Sequence, residues 1–524
     1  MNPRIRWVGI ILVICFGLLF LQLNNIQVRQ ASALSKNPLA SSGQVSSIYL
    51  PRGVILSADH KILAYSKKTS LGWQRVYPQA TARDFGQVTG FFPTAIRRGP
   101  PAYGIEAQYY SYLAQHESPI NSLNSVLTQH EETDNVILTI PSKLQAEAAS
   151  LINGKKGAAI VALDPRNGDV LAMDGFPSYN PNPVSSLDFK VANRAWNQLN
   201  KSYPDPYVNL ASDLGYAPGS TFKPMDTAAI FQYKPGIAAI NWPFRPYIKL
   251  PDTNALFHNY ASESCGGSLA EVLAVSCDTA YAQIGLRLGA KDVVREAEAF
   301  GWCQESKKRI PGICATGGTP PPLDLPSSEV VGATLAPLAM LQANPPFLAY
   351  SSIGQFDDST SALSMALVAA GIADNGKIMA PHLMSEIVDS DGNVVRRYHP
   401  HLWKQATTAA IARKVRQLMI GPTEGSPWPG TAAGVFSNLQ SQGVQVAAKT
   451  GTAEAVISST TKNCATYDWM IAMAPINNGQ IPKAVVAVVV PTPNGANACA
   501  EATGAGIAGP VIDKMLTDLL QAGY

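Results

Sequence analysis

Charge is sparse in this chain. Only 15% of its 524 residues are Asp, Glu, Lys or Arg, and 40 basic against 37 acidic side chains leave a net charge of +3. A nucleic-acid binder needs a concentrated basic face. No stretch supplies one, and the short pairs Arg97-Arg98 and Arg396-Arg397 read as solvated surface. No internal repeat is present, which excludes solenoids and arrays. Cysteine is limited to seven residues at spacings that match no common zinc pattern, so no metal site is expected.

What the chain does have is apolar mass. At 46% hydrophobic it can fill large cores, and its length predicts two or three units. An apolar run from Trp7 to Leu23 follows Arg4 and Arg6. At about 1.5 Å per residue it just spans a hydrocarbon core, and the preceding positive charge places the N-terminus inside with the rest exported. The competing reading is a signal peptide cleaved near Ala31-Ser32-Ala33. The run is long for a signal core and that site lies well beyond its end, so a retained anchor is expected. Cys15 falls in the run. The other six cysteines would lie in an oxidising compartment, where an even count predicts disulfides. Among fifteen possible pairings the local ones come first: Cys265–Cys277, Cys303–Cys314 and Cys464–Cys499.

The chain divides into 1–30 (cytoplasmic end and anchor), 31–134 (a small N-terminal unit behind a polar stalk) and 135–524. A hairpin turn is expected at Ala58-Asp59-His60, a strand at 136–140, a helix from Ser142 to Leu151, and a hairpin of 157–163 with 169–173 around Asp164 to Gly168. Further strands at 468–474 and 484–490 flank Asn477 to Gly479, and a last helix covers 508–521. Ser361 to Asn375 reads as a helix stopped by Gly376. Strands at both ends with helices between them predict an α+β fold whose sheet is closed by distant segments. Pro-rich runs at Pro320 to Pro322 and around Pro427-Trp428-Pro429 read as connectors.

Three short runs carry chemistry. Ser220-Thr221-Phe222-Lys223, Ser276-Cys277-Asp278 and Lys449-Thr450-Gly451-Thr452 read in order as S-x-x-K, a near match to S-x-N, and K-T-G. S-x-x-K alone is weak, since Ser459-Thr460-Thr461-Lys462 repeats it. The ordered triple is the signal, because each part supplies a different role. Serine needs a nearby base. Ser220 follows the turn Ala217-Pro218-Gly219 at the start of an apolar helical pattern, and Lys223 projects one turn later on the same face. N–H groups at that helix start can face an oxyanion. Pro224 fits the first turn awkwardly. Burial and a neighbouring cation lower a lysine pKa, and Lys449 can be that cation as well as a holder of a substrate carboxylate. Thr450 and Thr452 add hydroxyls, and Gly451 would let substrate backbone approach an edge strand provided by Val444 to Ala448.

These residues resemble the class B penicillin-binding proteins, the peptidoglycan D,D-transpeptidases. Pro51-Arg52-Gly53, Gly104-Ile105-Glu106, Leu163-Asp164-Pro165, Asn209-Leu210-Ala211 and Tyr216-Ala217-Pro218-Gly219-Ser220 extend the resemblance over most of the exported chain. The single anchor and short N-terminal unit are similar to those of the penicillin-binding protein A group of actinobacteria, and no segment resembles a glycosyltransferase domain.

The resemblance implies a β-lactamase/transpeptidase-like domain, an antiparallel sheet flanked by helices with a mainly helical subdomain. A small pedestal or dimerisation-type domain and one membrane anchor would precede it, with the catalytic domain outside the cytoplasmic membrane. It implies Ser220 as nucleophile on a D-Ala-D-Ala stem peptide and Lys223 as base. Ser276 would be a proton shuttle between Lys223 and Lys449, and the N–H groups of Ser220 and Thr452 an oxyanion hole. β-Lactams would acylate Ser220, a polymerase of the shape, elongation, division and sporulation (SEDS) family would be the partner, and no cofactor is needed. Asp278 departs from the family's Asn. A carboxylate only accepts hydrogen bonds, and its charge would favour protonated Lys223 and Lys449. The same corners also serve D,D-carboxypeptidases, β-lactamases, β-lactam sensors and, with Asp278 as a defect, a catalytically weak cell-wall scaffold.

Overall fold

Alternation of small and β-branched residues on both faces builds the central sheet. The computed structural model describes residues 3–25, 50–96, 102–114, 116–117, 131–254, 256–306, 312–315, 318–455, 464–495 and 502–524. In chain order, the strands that matter here are β1 (Ile55–Leu56), β2 (Ile62–Thr69), β3 (Gly72–Val76), β4 (Asn135–Leu138), β5 (Ala159–Leu163), β6 (Val170–Gly175), β7 (Met384–Val388), β8 (Val394–Arg397), β9 (Ala447–Ala455), β10 (Cys464–Ala474) and β11 (Ala484–Gly495). The helices are α1 (Pro3–Asn24), α2 (Ser142–Ile152), α3 (Lys223–Tyr233), α4 (Leu269–Ala274), α5 (Asp278–Leu288), α6 (Ala362–Ala373) and α7 (Gly509–Gln521).

β9-β10-β11-β5-β6 form a five-stranded antiparallel sheet in that order, so distant segments close it as expected. Alternate residues feed two cores. Ile160, Ala162, Val486 and Val488 pack against α2 and α7 on one face. Val161, Leu163, Val485 and Val489 pack on the other against the helical subdomain. At the centre of that subdomain α6 is buried on every side, as a helix apolar all round must be. Ser361 caps it, its hydroxyl accepting the Ser364 N–H at 3.2 Å, and Gly376 follows it in the left-handed region at φ +87°.

The second sheet has the order β8-β7-β4-β1-β2-β3. Its first three strands in sequence lie between Ile55 and Val76, β4 follows at Asn135–Leu138, and β7 and β8 arrive from far down the chain. Beside it lies a buried ionic cluster joining two of the segments that carried the family resemblance. Arg52 Nη2 stands 3.0 Å from Glu106 Oε2, Arg75 Nε bonds Glu106 Oε1, and the Arg52 guanidinium covers the Phe92 ring at 4.0 Å. Burial alone would raise the Glu106 carboxyl, but the Arg75 and Arg52 charges outweigh it and hold it below its ordinary value.

Cys265–Cys277 and Cys303–Cys314 are disulfides, as expected, and Cys15 is free and exposed. Cys499 and the second S-x-x-K run lie outside the described residues, as do the stalk and the Ala31-Ser32-Ala33 site. The side chains described within α1 from Leu12 to Leu21 are exposed; among the described residues no helix is long and apolar enough to cross a membrane.

Removing one partner of a buried ion cluster strands the others. Glu106→Ala is expected to cost about 3–5 kcal/mol of stability by leaving two guanidiniums unpaired, measured by denaturant unfolding. Folding depresses the Glu106 carboxyl, so its ionic contribution is present above its ordinary value of 4.5 and is lost as pH falls through the lower folded-state value. Glu106→Gln keeps the shape and lacks the charge. The native chain should exceed it in stability at neutral pH, and that gap should close in acid.

Candidate active site

Ser220 stands on a tight turn that three close approaches hold in place. A 3₁₀ turn, Gly219–Phe222, runs directly into α3 at Lys223. Pro224 therefore falls in the first turn of the α-helix, where its missing N–H has no intrahelical partner to lose; the awkwardness expected for a single helix starting at Ser220 disappears. Gly219 takes φ +54°, and a Cβ there would lie 2.9 Å from the Thr452 carbonyl group. Gly219 N–H donates to the Gly354 carbonyl at 2.9 Å. Behind the turn, the Trp469 indole N–H donates to the Ala217 carbonyl at 2.8 Å.

β9 supplies the second corner. It spans Ala447–Ala455, so Lys449 to Thr452 lie inside the edge strand of the sheet, whereas the sequence pattern ends the strand just before them. The room that Gly451 leaves is taken up by the chain itself: a Cβ there would meet the Pro218 carbonyl oxygen at 2.7 Å and Thr221 at 3.0 Å. Glycine at 451 thus lets the Ser220 turn dock on the strand.

The third corner is a break between α4 and α5. Ser276 adopts φ +59°, in the left-handed region that non-glycine residues avoid at a cost of about 1–3 kcal/mol. The surroundings enforce it: Cys277 N–H donates to the Val272 carbonyl at 2.8 Å, Cys277 is bridged to Cys265, and Asn259 Oδ1 accepts the Thr279 N–H at 2.8 Å.

The three corners converge. Lys223 Nζ donates to the Ser276 carbonyl at 2.7 Å, lies 3.2 Å from Ser276 Oγ and pairs with Asp278 Oδ1 at 2.7 Å. Lys449 Nζ lies 2.8 Å from the same Ser276 Oγ and 2.9 Å from the Thr450 carbonyl oxygen. One hydroxyl bridges two fully buried amines. Ser220, Ser276, Asp278, Thr450, Gly451 and Thr452 all line one cavity of about 1200 Å³. Every site residue named from the sequence is brought to this place. Thr452 turns its hydroxyl inward to accept the Gly504 N–H at 3.1 Å.

Burial pushes the Lys223 ammonium below its ordinary value against the upward pull of Asp278. Lys449 is driven further down, by burial and then by Lys223 beside it. Asp226, one turn along α3, is also buried, and burial with Glu296 nearby raises its carboxyl well above the ordinary range. Asp278 is the carboxylate in contact with Lys223. The Tyr281 ring faces Lys223 Nζ at 5.2 Å, its hydroxyl fixed 2.7 Å from Thr227 Oγ1.

Tyr281, Asn259 and Thr431 are the residues that sequence reasoning did not find. Thr431 Oγ1 lies 2.7 Å from Thr450 Oγ1. None sits within a motif, and no spacing announces them. Among the described residues no group of three or more His, Cys, Asp or Glu side chains is placed to hold a metal ion.

Comparison with known proteins matches this architecture. The penicillin-binding protein transpeptidase domain model covers residues 158–517. Peptidoglycan D,D-transpeptidase PbpA of Mycolicibacterium smegmatis is 31% identical over 538 residues, the whole of both chains, and its Mycobacterium tuberculosis counterpart is 30% identical over 99% of each. Among solved structures, the penicillin G acyl-enzyme of M. tuberculosis penicillin-binding protein A superposes with a TM-score of 0.74 at 29% identity, over 90% of this chain and 100% of that one. The ceftriaxone acyl-enzyme of the same protein superposes with a TM-score of 0.73, over 90% and 99%. The serine turn, the lysine-bearing edge strand and the bridging hydroxyl thus sit on a shared fold over nearly the full chain, and the chain belongs to the penicillin-binding protein transpeptidase family.

Proposed function

We propose that this chain is a peptidoglycan D,D-transpeptidase that works through an acyl-enzyme on Ser220. The observation that carries the reading is the Ser276 hydroxyl, 3.2 Å from one buried lysine amine and 2.8 Å from another at the floor of the groove that exposes Ser220. Lys223, as the free amine, takes the Ser220 proton while Oγ attacks the penultimate D-Ala carbonyl. N–H groups of Ser220 and Thr452 receive the oxyanion, and Lys449 with Thr450 holds the terminal carboxylate. As the C–N bond breaks, the proton passes through Ser276 to the departing D-Ala amine. An amine from a second stem peptide then attacks the ester and restores the serine, making the cross-link. β-Lactams acylate Ser220 by presenting the same carbonyl and carboxylate.

In this reading α1, with the apolar run of the sequence, is the membrane anchor. The catalytic domain faces the outside, and the N-terminal unit positions it over nascent peptidoglycan and towards a SEDS-type polymerase. Asp278 supports a second reading, hydrolysis or a weakly catalytic scaffold, because its charge pulls the Lys223 amine towards the protonated, inactive form.

Intact-mass analysis after penicillin treatment is expected to show one adduct, mapped to the Ser220 peptide and abolished in Ser220→Ala. An unlabelled native chain rejects the acyl-enzyme. With lipid-linked strands as substrate, dimeric muropeptides are expected; tetrapeptides alone would establish carboxypeptidase activity instead.

The charge of Asp278 gives a signed pH prediction. Its carboxylate stabilises the Lys223 ammonium, so its removal lets the amine form at lower pH. Asp278→Asn should move the acid limb of the acylation–pH profile downward, raising the rate there by roughly tenfold for every pH unit moved. Superimposable profiles reject the assignment.

A further inference from the structure

Part of the groove wall belongs to a loop that the motifs do not cover. Residues 424–431 form a closed ring: Gly430 N–H donates to the Glu424 carbonyl at 3.0 Å, and Ala432 N–H to the Pro422 carbonyl at 2.7 Å. Gly430 is packed so tightly that a Cβ would fall 2.3 Å from the Gly421 carbonyl oxygen. The exit residue of the loop, Thr431, is tied to two corners of the site. Its N–H donates to the carbonyl of Ala274, two residues before Ser276, at 3.1 Å, and its hydroxyl meets that of Thr450 at 2.7 Å.

Between these anchors runs Pro427-Trp428-Pro429, and Trp428 lines the groove, half-buried. Proline on both sides restricts this backbone. Each ring fixes its own φ, and Pro429 confines Trp428 to extended conformations. The indole is therefore a stiff apolar plate. Three residues span at most about 10 Å, so the plate stands close to Thr431, and hence to Thr450.

We propose that Trp428 is a specificity-determining residue that contacts the side chain of the departing residue of the donor peptide. This rests on the reading that Lys449 and Thr450 hold the terminal carboxylate. The atom bonded to that carboxylate is the α-carbon of the residue that leaves, and D-Ala carries there a single methyl group. A flat indole at this end buries a methyl and offers neither a cation nor an anion to a charged side chain. The hydrogen bond between Thr431 and Thr450 is what sets the Trp428 loop at the carboxylate end of the groove.

The test uses the full chain and two thioester donors. Both present an N-acyl-D-alanyl group, one on thioglycolate and one on D-thiolactate, which adds only the methyl. The native enzyme is expected to favour the thiolactate donor by about fourfold in kcat/KM, the worth of one buried methyl or methylene. Trp428→Ala should bring the two donors to near equality, and Trp428→Phe should restore most of the preference. Acylation by penicillin should also change tryptophan fluorescence, with much of the amplitude lost in Trp428→Phe. A native enzyme indifferent to the methyl, a preference that survives in Trp428→Ala, or an unchanged fluorescence amplitude in Trp428→Phe would each overturn the proposal. If Trp428→Ala fails to fold, the native ratio and the Trp428→Phe amplitude still decide it. A native chain that penicillin does not label at Ser220 overturns the acyl-enzyme reading itself; labelling without the Trp428 effects overturns this inference alone.

Discussion

Two lysine amines cannot both stay charged in one dry pocket, and the whole site is arranged around that fact. Lys223 and Lys449 are fully buried, and the Ser276 hydroxyl stands between them. Bringing two like charges out of water is costly. The arrangement is stable only if one amine gives up its proton or a carboxylate compensates. Here burial lowers both amines, Lys449 the further, and Asp278 pairs with Lys223 at 2.7 Å. A hydroxyl that can donate to either amine and accept from either lets a proton cross between them without any side chain moving.

That geometry makes demands on the scaffold. The serine turn must reach the edge strand, so glycines stand where side chains would intrude, Gly219 against Thr452 and Gly451 against Pro218. Ser276 must aim its hydroxyl back between the lysines, so its backbone is held left-handed by a hydrogen bond and a disulfide on Cys277. Strain of this kind persists only where the surroundings over-determine it. The buried helix α6 and the two-faced sheet supply the rigid support, each face of the sheet having its own core.

The parts of this that are legible in the sequence share one property: they are local or chemically distinctive. The hairpin of β5 and β6 follows from its turn residues, α6 from a continuous apolar run with Ser361 before it and Gly376 after, and the two described disulfides from short loops. The three motifs can be read because serine, lysine and threonine–glycine pairs carry definite roles. What stays hidden depends on three-dimensional neighbours. The strand holding Lys449 reads as ending a few residues early, because Gly451 and Thr452 look like a turn until the docking of Pro218 is known. Thr431 and Trp428 look like part of a connector, since nothing in Pro-Trp-Pro reports that a nearby hydroxyl meets Thr450. Glu106 and Arg52 stand out as family-like, but their mutual contact joins positions 54 residues apart.

The identity of residue 278 is where local chemistry and the global design meet. An amide at this position would accept a hydrogen bond from Lys223 without fixing its charge, and the base would be ready whenever the pocket is dry. The carboxylate instead pulls the Lys223 amine towards its protonated form. Asp278 keeps about a fifth of its side-chain surface open to the groove, at 18%. A ligand that fills the groove strips water from the carboxylate while leaving Lys223, already dry, unchanged. Drying an ion pair weakens its advantage over the neutral pair, so filling the groove works against the pull of Asp278 and with the burial that already lowers the Lys223 amine.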